Sequence, residues 1–247
     1  MPPFSLASFV VSKDSEQSEP LLNFLVTFAF AMEAPVLHTI HHQKLWLTSQ
    51  RAIFWEAQKA VIVSDLHFGK TGHFRKSGIA VPQNIYKEDL QRLVMVLNYF
   101  NPEQLIVVGD FFHSHENTEM DWFRKWRNDF TALKIILVKG NHDILKDRWY
   151  EEAGIDLIEK ELRVESFLFT HDKCEDHDDL YTFCGHIHPG IYLHGPGKQS
   201  LRFPCFYFGR NHCILPAFSR FTGMALIEPA ETDNVFAVVE NSLIQMQ

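Results

Sequence analysis

Short apolar runs that end in Asp, Asn or His recur along the chain, and one of them organises the rest: Lys134-Ile135-Ile136-Leu137-Val138-Lys139-Gly140-Asn141-His142-Asp143. Four large aliphatic residues in succession read as a strand buried on both faces of a parallel sheet, where neither face meets water and alternation is suppressed. Gly140 breaks the run, and an amide, an imidazole and a carboxylate follow. Buried strands of α/β sheets present their chemistry at their carboxyl ends. The same pattern stands upstream: Ala60-Val61-Ile62-Val63-Ser64 precedes Asp65-Leu66-His67, and Leu105-Ile106-Val107-Val108-Gly109 precedes Asp110. Downstream, Phe167-Leu168-Phe169-Thr170 leads to His171, and Leu180-Tyr181-Thr182-Phe183-Cys184-Gly185 leads to His186-Ile187-His188. Core packing explains apolar runs. It does not explain five polar ends of the same kind.

The segments between these runs complete the predicted architecture. Residues 36–63 read as consecutive short strands, with a hairpin between Lys44–Thr48 and Ala52–Trp55. Pro82 can open a helix. Leu90, Leu93, Val94 and Leu97 then fall at helical spacing, which predicts an amphipathic helix over 83–100, ended by Asn101-Pro102. A second helix is expected over 119–133, with Phe123, Trp126 and Phe130 on one face, and a short third over 144–153, stopped at Gly154. Strand–helix alternation of this kind argues for a mostly parallel sheet with right-handed crossovers. Beyond residue 160 the periodicity changes to short strands at 162–165, 167–170, 180–184, 190–194, 201–208, 213–215 and 224–228, a second sheet packed on the first. Cys174 to Asp179 reads as a solvated acidic loop.

Residues 1–31 do not share the pattern. Their apolar run, Leu21 to Ala31, is shorter than the roughly 20 residues a membrane helix needs. Asp14, Glu16 and Glu19 precede it, where a signal peptide carries basic residues. Met32 follows at once. The reading is a non-native or disordered extension over 1–31, with translation starting at Met32, ahead of a single domain over 32–247. Apolar and charged fractions of 46% and 22% suit a globular protein without membrane segments. A net charge of −8 argues against a broad basic surface that grips nucleic acid by charge alone. Cys174, Cys184, Cys205 and Cys213 contain no CxxC pair, so all four are expected as reduced thiols in a cytoplasmic protein.

Collected, the strand-end residues are Asp65, His67, Asp110, Asn141, His171, His186 and His188. The set mixes oxygen and nitrogen donors and lacks thiolate, which argues against a structural zinc site. It is too rich for one octahedral ion that keeps room for water. It suits two divalent ions about 3.5–4 Å apart, with Asp110 placed to bridge them. Such ions activate water for in-line attack on phosphorus and stabilise the charge that develops. His142 stands next to the set, free to protonate a leaving-group oxygen, with Asp143 or another acid to orient it. Lys70, His73 and Arg75 follow the first ligand pair, where a phosphate would pass, and His113 flanks the site; all four are candidate substrate contacts. Phosphodiester hydrolysis is the chemistry these residues point to; hydrolysis of small phosphoesters such as cyclic nucleotides, and a non-catalytic scaffold that kept the fold, stand as alternatives. The filled ligand positions and the presence of His142 speak against the scaffold.

Asp65-x-His67, Gly109-Asp110, Gly140-Asn141-His142-Asp143, His171 and Gly185-His186-x-His188 together resemble the motif set of the calcineurin-like metallophosphoesterases, over residues 58–190. The resemblance implies a four-layer α/β/β/α sandwich of two mixed β-sheets flanked by helices, with a dinuclear Mn²⁺-type centre. It implies Asp65, His67, Asp110 and His188 around one ion, Asp110, Asn141, His171 and His186 around the other, and His142 as proton donor. A narrower set resembles the bacterial ligase-associated DNA damage response phosphoesterases (the PdeM group): Asp65-Leu66-His67-Phe68-Gly69-Lys70, His73 to Pro82, Gly109 to Ser114, Pro204-Cys205-Phe206, Leu215 to Phe218 and Phe221-Thr222-Gly223. That likeness implies an endonuclease in DNA repair, acting with an ATP-dependent DNA ligase, a helicase and an exonuclease. The chain departs from it at Ser219-Arg220, where the group has a glycine and one variable residue, and at Met224, where a second glycine is usual.

Overall fold

The computed structural model describes residues 32–70, 84–113, 118–172, 174, 179–195 and 199–246. Expectations for residues 1–31, and for His73 and Arg75, lie outside the described residues. Residues Met32–Gln247 make one compact unit.

The first sheet holds seven strands in sequence order: β1 (Val36–Ile40), β2 (Gln43–Thr48), β3 (Ala52–Trp55), β4 (Ala60–Val63), β5 (Gln104–Val108), β6 (Lys134–Val138) and β7 (Ile155–Ile158). Its first half is antiparallel hairpins, and β4 to β7 run parallel. The sheet is thus mixed rather than mostly parallel. Helix α1 (Asn84–Phe100) crosses from β4 to β5, α2 (Thr118–Asp129) from β5 to β6, and α3 (Asp147–Glu152) from β6 to β7. α2 and α3 are shorter than their periodicity predicts. At the foot of α2, Arg127 donates to Ala153 O and Phe130 O, fastening that helix end.

Why β4, β5 and β6 lack polar alternation is plain from their surroundings. Val61, Val63, Leu105, Val107, Ile135 and Leu137 face the helices, packing with Leu93, Val96, Leu97, Phe123, Trp126, Trp149 and Tyr150. The intervening Ala60, Ile62, Ile106, Val108 and Val138 face the second sheet and meet Phe167, Phe169, Phe183, Phe206, Phe208 and Phe236. Each fully buried aliphatic or Phe side chain contributes roughly 1.5–3 kcal/mol. Six of the chain's 22 phenylalanines fill this layer between the sheets.

The second sheet contains nine strands: β8 (Glu161–Val164), β9 (Phe167–Thr170), β10 (Tyr181–Cys184), β11 (Pro189–His194), β12 (Ser200–Phe208), β13 (His212–Ile214), β14 (Ala225–Leu226), β15 (Asn234–Val239) and β16 (Ser242–Gln245). β12 pairs with β11 through Pro204, then with β13 and β15 from Cys205 onward. The change of partner falls at a proline, which cannot donate to a ladder. The two mixed sheets and the helices over the first match the expected fold. A helical layer over the second sheet is not among the described residues. No described helix is long and apolar enough to cross a membrane.

The cysteine expectation is corrected. Cys174 and Cys184 form a disulfide, with Cα atoms 5.5 Å apart, while Cys205 and Cys213 are free and buried. The chain leaves the end of β9, and Cys174 returns against the sheet with its Sγ 3.5 Å from Cys213 O. Sequence spacing holds no sign of that return.

Candidate metal centre

The carboxyl ends of β4, β5, β6, β9 and β10 converge, and the loops that leave them are laced together. Asp65 N–H donates to Gly109 O (3.1 Å), His67 N–H to Asp110 O (2.9 Å) and Phe68 N–H to Phe111 O (2.9 Å). From the other side, Phe218 N–H donates to Ser64 O (2.7 Å) and Ser219 N–H to Asp65 O (3.1 Å). Within this frame Asp65, His67, Asp110, His186 and His188 all take left-handed backbone conformations, with φ between +50° and +65°. Such conformations cost roughly 1–3 kcal/mol each in a non-glycine residue and persist only where the surroundings dictate them. Two glycines are required by close approach. A Cβ at Gly140 would overlap the Asp110 carboxylate, and one at Gly185 would overlap the Ser64 hydroxyl and lie 2.7 Å from Asp65 Oδ2.

Two groups of ligand atoms result. The first is Asp65, His67 and His188, the second Asp110, His171 and His186; within each the atoms lie within 4.8 Å of one another. Asp65 Oδ1 stands 3.0 Å from His188 Nε2 and 3.9 Å from His67 Nε2. All three atoms are buried without a hydrogen-bond partner. Leaving such groups unpaired costs about 1–3 kcal/mol each, so their convergence fits a cation. Asp65 Oδ2 is held by the Ser64 hydroxyl and by His186 N–H (3.1 Å), which turns Oδ1 inward. His188 Nδ1 is 3.3 Å from Gly223 O, fixing the tautomer that leaves Nε2 free to bind a metal.

Asp110 faces both groups. Its Oδ2 is 4.0 Å from His67 Nδ1 and its Oδ1 is 3.3 Å from His171 Nε2. His171 Nδ1 lies 3.1 Å from Val108 O, so a neutral ring would aim a lone pair at Asp110 Oδ1 and at Asn141 Oδ1, 3.2 Å away. Only a proton or a metal ion resolves that geometry. Without metal the proton takes the place: burial lowers the His171 pKa, but the Asp110 hydrogen bond and the charges of Asp65 and Asp110 hold it up at about 9. Burial would raise Asp110, yet His171 pulls it down to about 2. His67 is pushed down to about 2 by burial and then by Lys70, against the pull of Asp110. Its imidazole is therefore neutral, as a ligand must be.

The seven expected ligand residues are thus brought together, Asn141 through its contact with His171. His142 lies beside them, half-buried, its N–H donating to Asp110 Oδ1 (2.9 Å). Its ring centroid is 5.6 Å from that of His67 and 4.1 Å from that of His113. Lys70 also faces the centre. Burial lowers its pKa first, and the charges of Asp110 and Asp65 pull back. Asp143 is placed differently from its expected role. Its carboxylate is buried, with Oδ1 accepting from Phe112 N–H (3.0 Å) and Oδ2 from Gly140 N–H (2.9 Å). It clamps the β5 and β6 loops instead of orienting the His142 imidazole.

One supporting cluster has no sequence signal. Arg92, 5% exposed, donates to Asp89 Oδ1 (2.7 Å), Gln50 O (2.8 Å), Gln50 Oε1 (3.1 Å) and Phe218 O (3.0 Å). Asp89 Oδ2 accepts from Ser219 Oγ (2.9 Å), and Arg51 donates to Ala217 O and Ser219 O. This cluster fixes the loop whose backbone holds Ser64 and Asp65. Partners so far apart along the chain leave no local pattern.

Comparison with known proteins agrees with this geometry. The model of the calcineurin-like phosphoesterases matches residues 59–222. The chain belongs to that family. A calcineurin-like phosphoesterase hydrolyses phosphoesters with divalent metals, so the scaffold reading falls away. Among solved structures, a Pseudomonas putida nuclease, MPE, is 30% identical, with 83% of this chain and 96% of that chain covered and a TM-score of 0.72. Yfce, a phosphoesterase from E. coli, is 12% identical over 76% of this chain and 97% of its own, with a TM-score of 0.41. AQ665 from Aquifex aeolicus is 21% identical over 52% and 78%, with a TM-score of 0.40. The last two superpose too loosely to bear on the argument. No curated protein matches the chain.

Proposed function

We propose that this calcineurin-like phosphoesterase is a phosphodiesterase that cuts DNA, using two Mn²⁺ ions and His142 as general acid. The observation that carries the chemistry is two adjacent ligand groups with Asp110 between them, 4.0 Å from His67 Nδ1 and 3.3 Å from His171 Nε2, the first group holding buried donor atoms without a partner. Asp65, His67, Asp110 and His188 would hold one ion, and Asp110, Asn141, His171 and His186 the other. When bound, the ions supply a nucleophilic water at neutral pH and polarise the phosphoryl oxygens. Oxygen and imidazole donors without thiolate suit Mn²⁺.

The protein's own groups do the rest. Asp110 fixes the His142 backbone from within the centre, so His142 keeps its place relative to the ligands when substrate enters. Its ring is half-buried, with His113 beside it, and can deliver a proton to the departing oxygen. Lys70 adds one positive charge next to Asp65 and Asp110, where a phosphate must approach two carboxylates. The loops carrying Asp110 and His142 stay in register through Asp143.

DNA as substrate is supported by the likeness to a protein described as a nuclease, MPE, at 30% identity over most of both chains. A role in repair with an ATP-dependent DNA ligase, a helicase and an exonuclease follows from the narrower motif likeness, and a DNA substrate would place the protein in the cytoplasm. Metal-loaded protein should nick or degrade a labelled oligonucleotide, and its binding should weaken with salt. Turnover of cyclic nucleotides with no action on single-stranded or duplex DNA would replace this reading with that of a small-phosphoester hydrolase.

A further inference from the structure

Beside the metal centre lies a cavity of about 70 Å³ lined by His188, Arg51, Arg220, Thr222, Met224 and Pro204 among others. Its chemistry is opposite to that of the centre. The charge of Arg220 acts on both Arg51 and Arg92, and Asp89 is the carboxylate that acts on these two. Three guanidinium groups against one carboxylate leave a local excess of positive charge in a chain whose net charge is −8.

Asp89 does not neutralise the two arginines that line the cavity. Its oxygens are taken up by Arg92 (2.7 Å), Ser219 Oγ (2.9 Å) and the backbone N–H of Arg220 (3.3 Å). The Arg51 guanidinium donates from Nη1 to two carbonyl oxygens, Ala217 O (3.0 Å) and Ser219 O (2.9 Å), which fix its position without cancelling its charge. Burial pushes its pKa down to about 10, Asp89 pulls back and Arg220 lowers it further. The Arg220 side chain is exposed, and among the described residues no carboxylate pairs with it or with Arg51. An anchored arginine and a free one therefore share a cavity whose wall includes a candidate metal ligand. Arg220 also stands at the place where the chain departs from the motif it otherwise resembles.

We propose that Arg220 and Arg51 form an anion subsite that holds a backbone phosphate of the nucleic acid next to the one being cut. The inference rests on the reading of DNA as substrate and names how a polynucleotide is told from a small phosphodiester. A guanidinium presents a planar fork of donors that matches a phosphate, and such charge-assisted bonds are among the stronger ones. Bis-p-nitrophenyl phosphate has a single phosphate and cannot reach the subsite while its ester sits at the metals. An oligonucleotide occupies both.

The test compares wild type with Arg220→Ala and Arg220→Lys. Arg220 is exposed and its side chain makes no bond among the described residues, so the fold should tolerate the change. The first readout is selectivity, the ratio of kcat/KM for a single-stranded oligothymidylate to that for bis-p-nitrophenyl phosphate, with Mn²⁺. It should fall about tenfold in Arg220→Ala, through KM, and by less in Arg220→Lys. The second readout is anisotropy of the same labelled oligonucleotide titrated with salt in EDTA. The slope of log K against log salt should shrink by about 0.7 in Arg220→Ala and be kept in Arg220→Lys. Equal losses on both substrates, or an unchanged slope, would overturn the subsite, as would a wild type that does not bind the oligonucleotide. If wild type fails on bis-p-nitrophenyl phosphate yet binds the oligonucleotide with an Arg220-dependent slope, the phosphodiesterase reading falls and the subsite stands.

Discussion

Arg92→Met removes the buried side chain on which the metal-side loop depends. Arg92 and Asp89 are 5% and 3% exposed and meet at 2.7 Å. Methionine has a similar length, so the change deletes charge and four hydrogen bonds without leaving a large void. What remains is a buried carboxylate without its partner and carbonyls of Gln50 and Phe218 without a donor. Breaking a buried pair in this way costs about 3–5 kcal/mol. At ~2–4 °C per kcal/mol for a unit of this size, the thermal midpoint should fall by roughly 10 °C. Thermal unfolding by circular dichroism reads that shift, and Asp89→Asn/Arg92→Met separates its two parts. The double variant removes both members of the buried pair and keeps an acceptor for Ser219, so it should recover some 1–3 kcal/mol relative to Arg92→Met. A midpoint within 2 °C of wild type in Arg92→Met, or a double variant as unstable as the sum of both single changes, would refute the reasoning.

Other expectations follow from the same contacts. His142→Ala should keep its metals, measured by elemental analysis, and lose two to four orders of magnitude in kcat on substrates with poor leaving groups; an unchanged rate would discard the acid role. In metal-stripped protein the His171 pKa of about 9 exceeds its ordinary 6.5, so the stabilisation it brings is complete below pH 6.5 and lost as pH rises through about 9. Melting midpoints should decline across that window in wild type and stay flatter in His171→Asn, and equal slopes would contradict the assigned partner. Thiol titration of denatured, unreduced protein should find two thiols, with four excluding the Cys174–Cys184 bond. Cys174→Ser should destabilise by about 2–3 kcal/mol, the value for closing a loop of this length.

The site was more legible than its support. β4, β5 and β6 showed in the sequence because both faces are buried, which removes polar residues until the strand ends. The ligands followed because each sits directly after such a run. β7 was missed because Ile155–Ile158 is an edge strand of four residues with Asp156 exposed, too short and mixed to stand out. β15 and β16 were missed at the end of the chain, although Val235 to Val238 is an apolar run of the expected kind. It carries no chemistry at its end. Asp143 misled because adjacency to His142 suggested contact. The turn instead points its carboxylate back at Phe112 and Gly140. The Arg92 cluster and the Cys174–Cys184 bond depend on where distant segments meet, and local patterning carries none of that. The left-handed backbone at five ligand positions is invisible for the same reason, since Asp and His have no signature for it of the kind glycine provides.

The central claim is that two ions sharing Asp110 drive phosphodiester hydrolysis. Its most direct test is turnover of bis-p-nitrophenyl phosphate by metal-stripped protein as Mn²⁺ is added, with Asp110→Ala alongside. The account predicts no turnover without metal, activity that saturates as two equivalents bind, and neither full binding nor turnover in the variant. Wild-type protein that binds the metal and stays inactive, or Asp110→Ala that remains active, would contradict it.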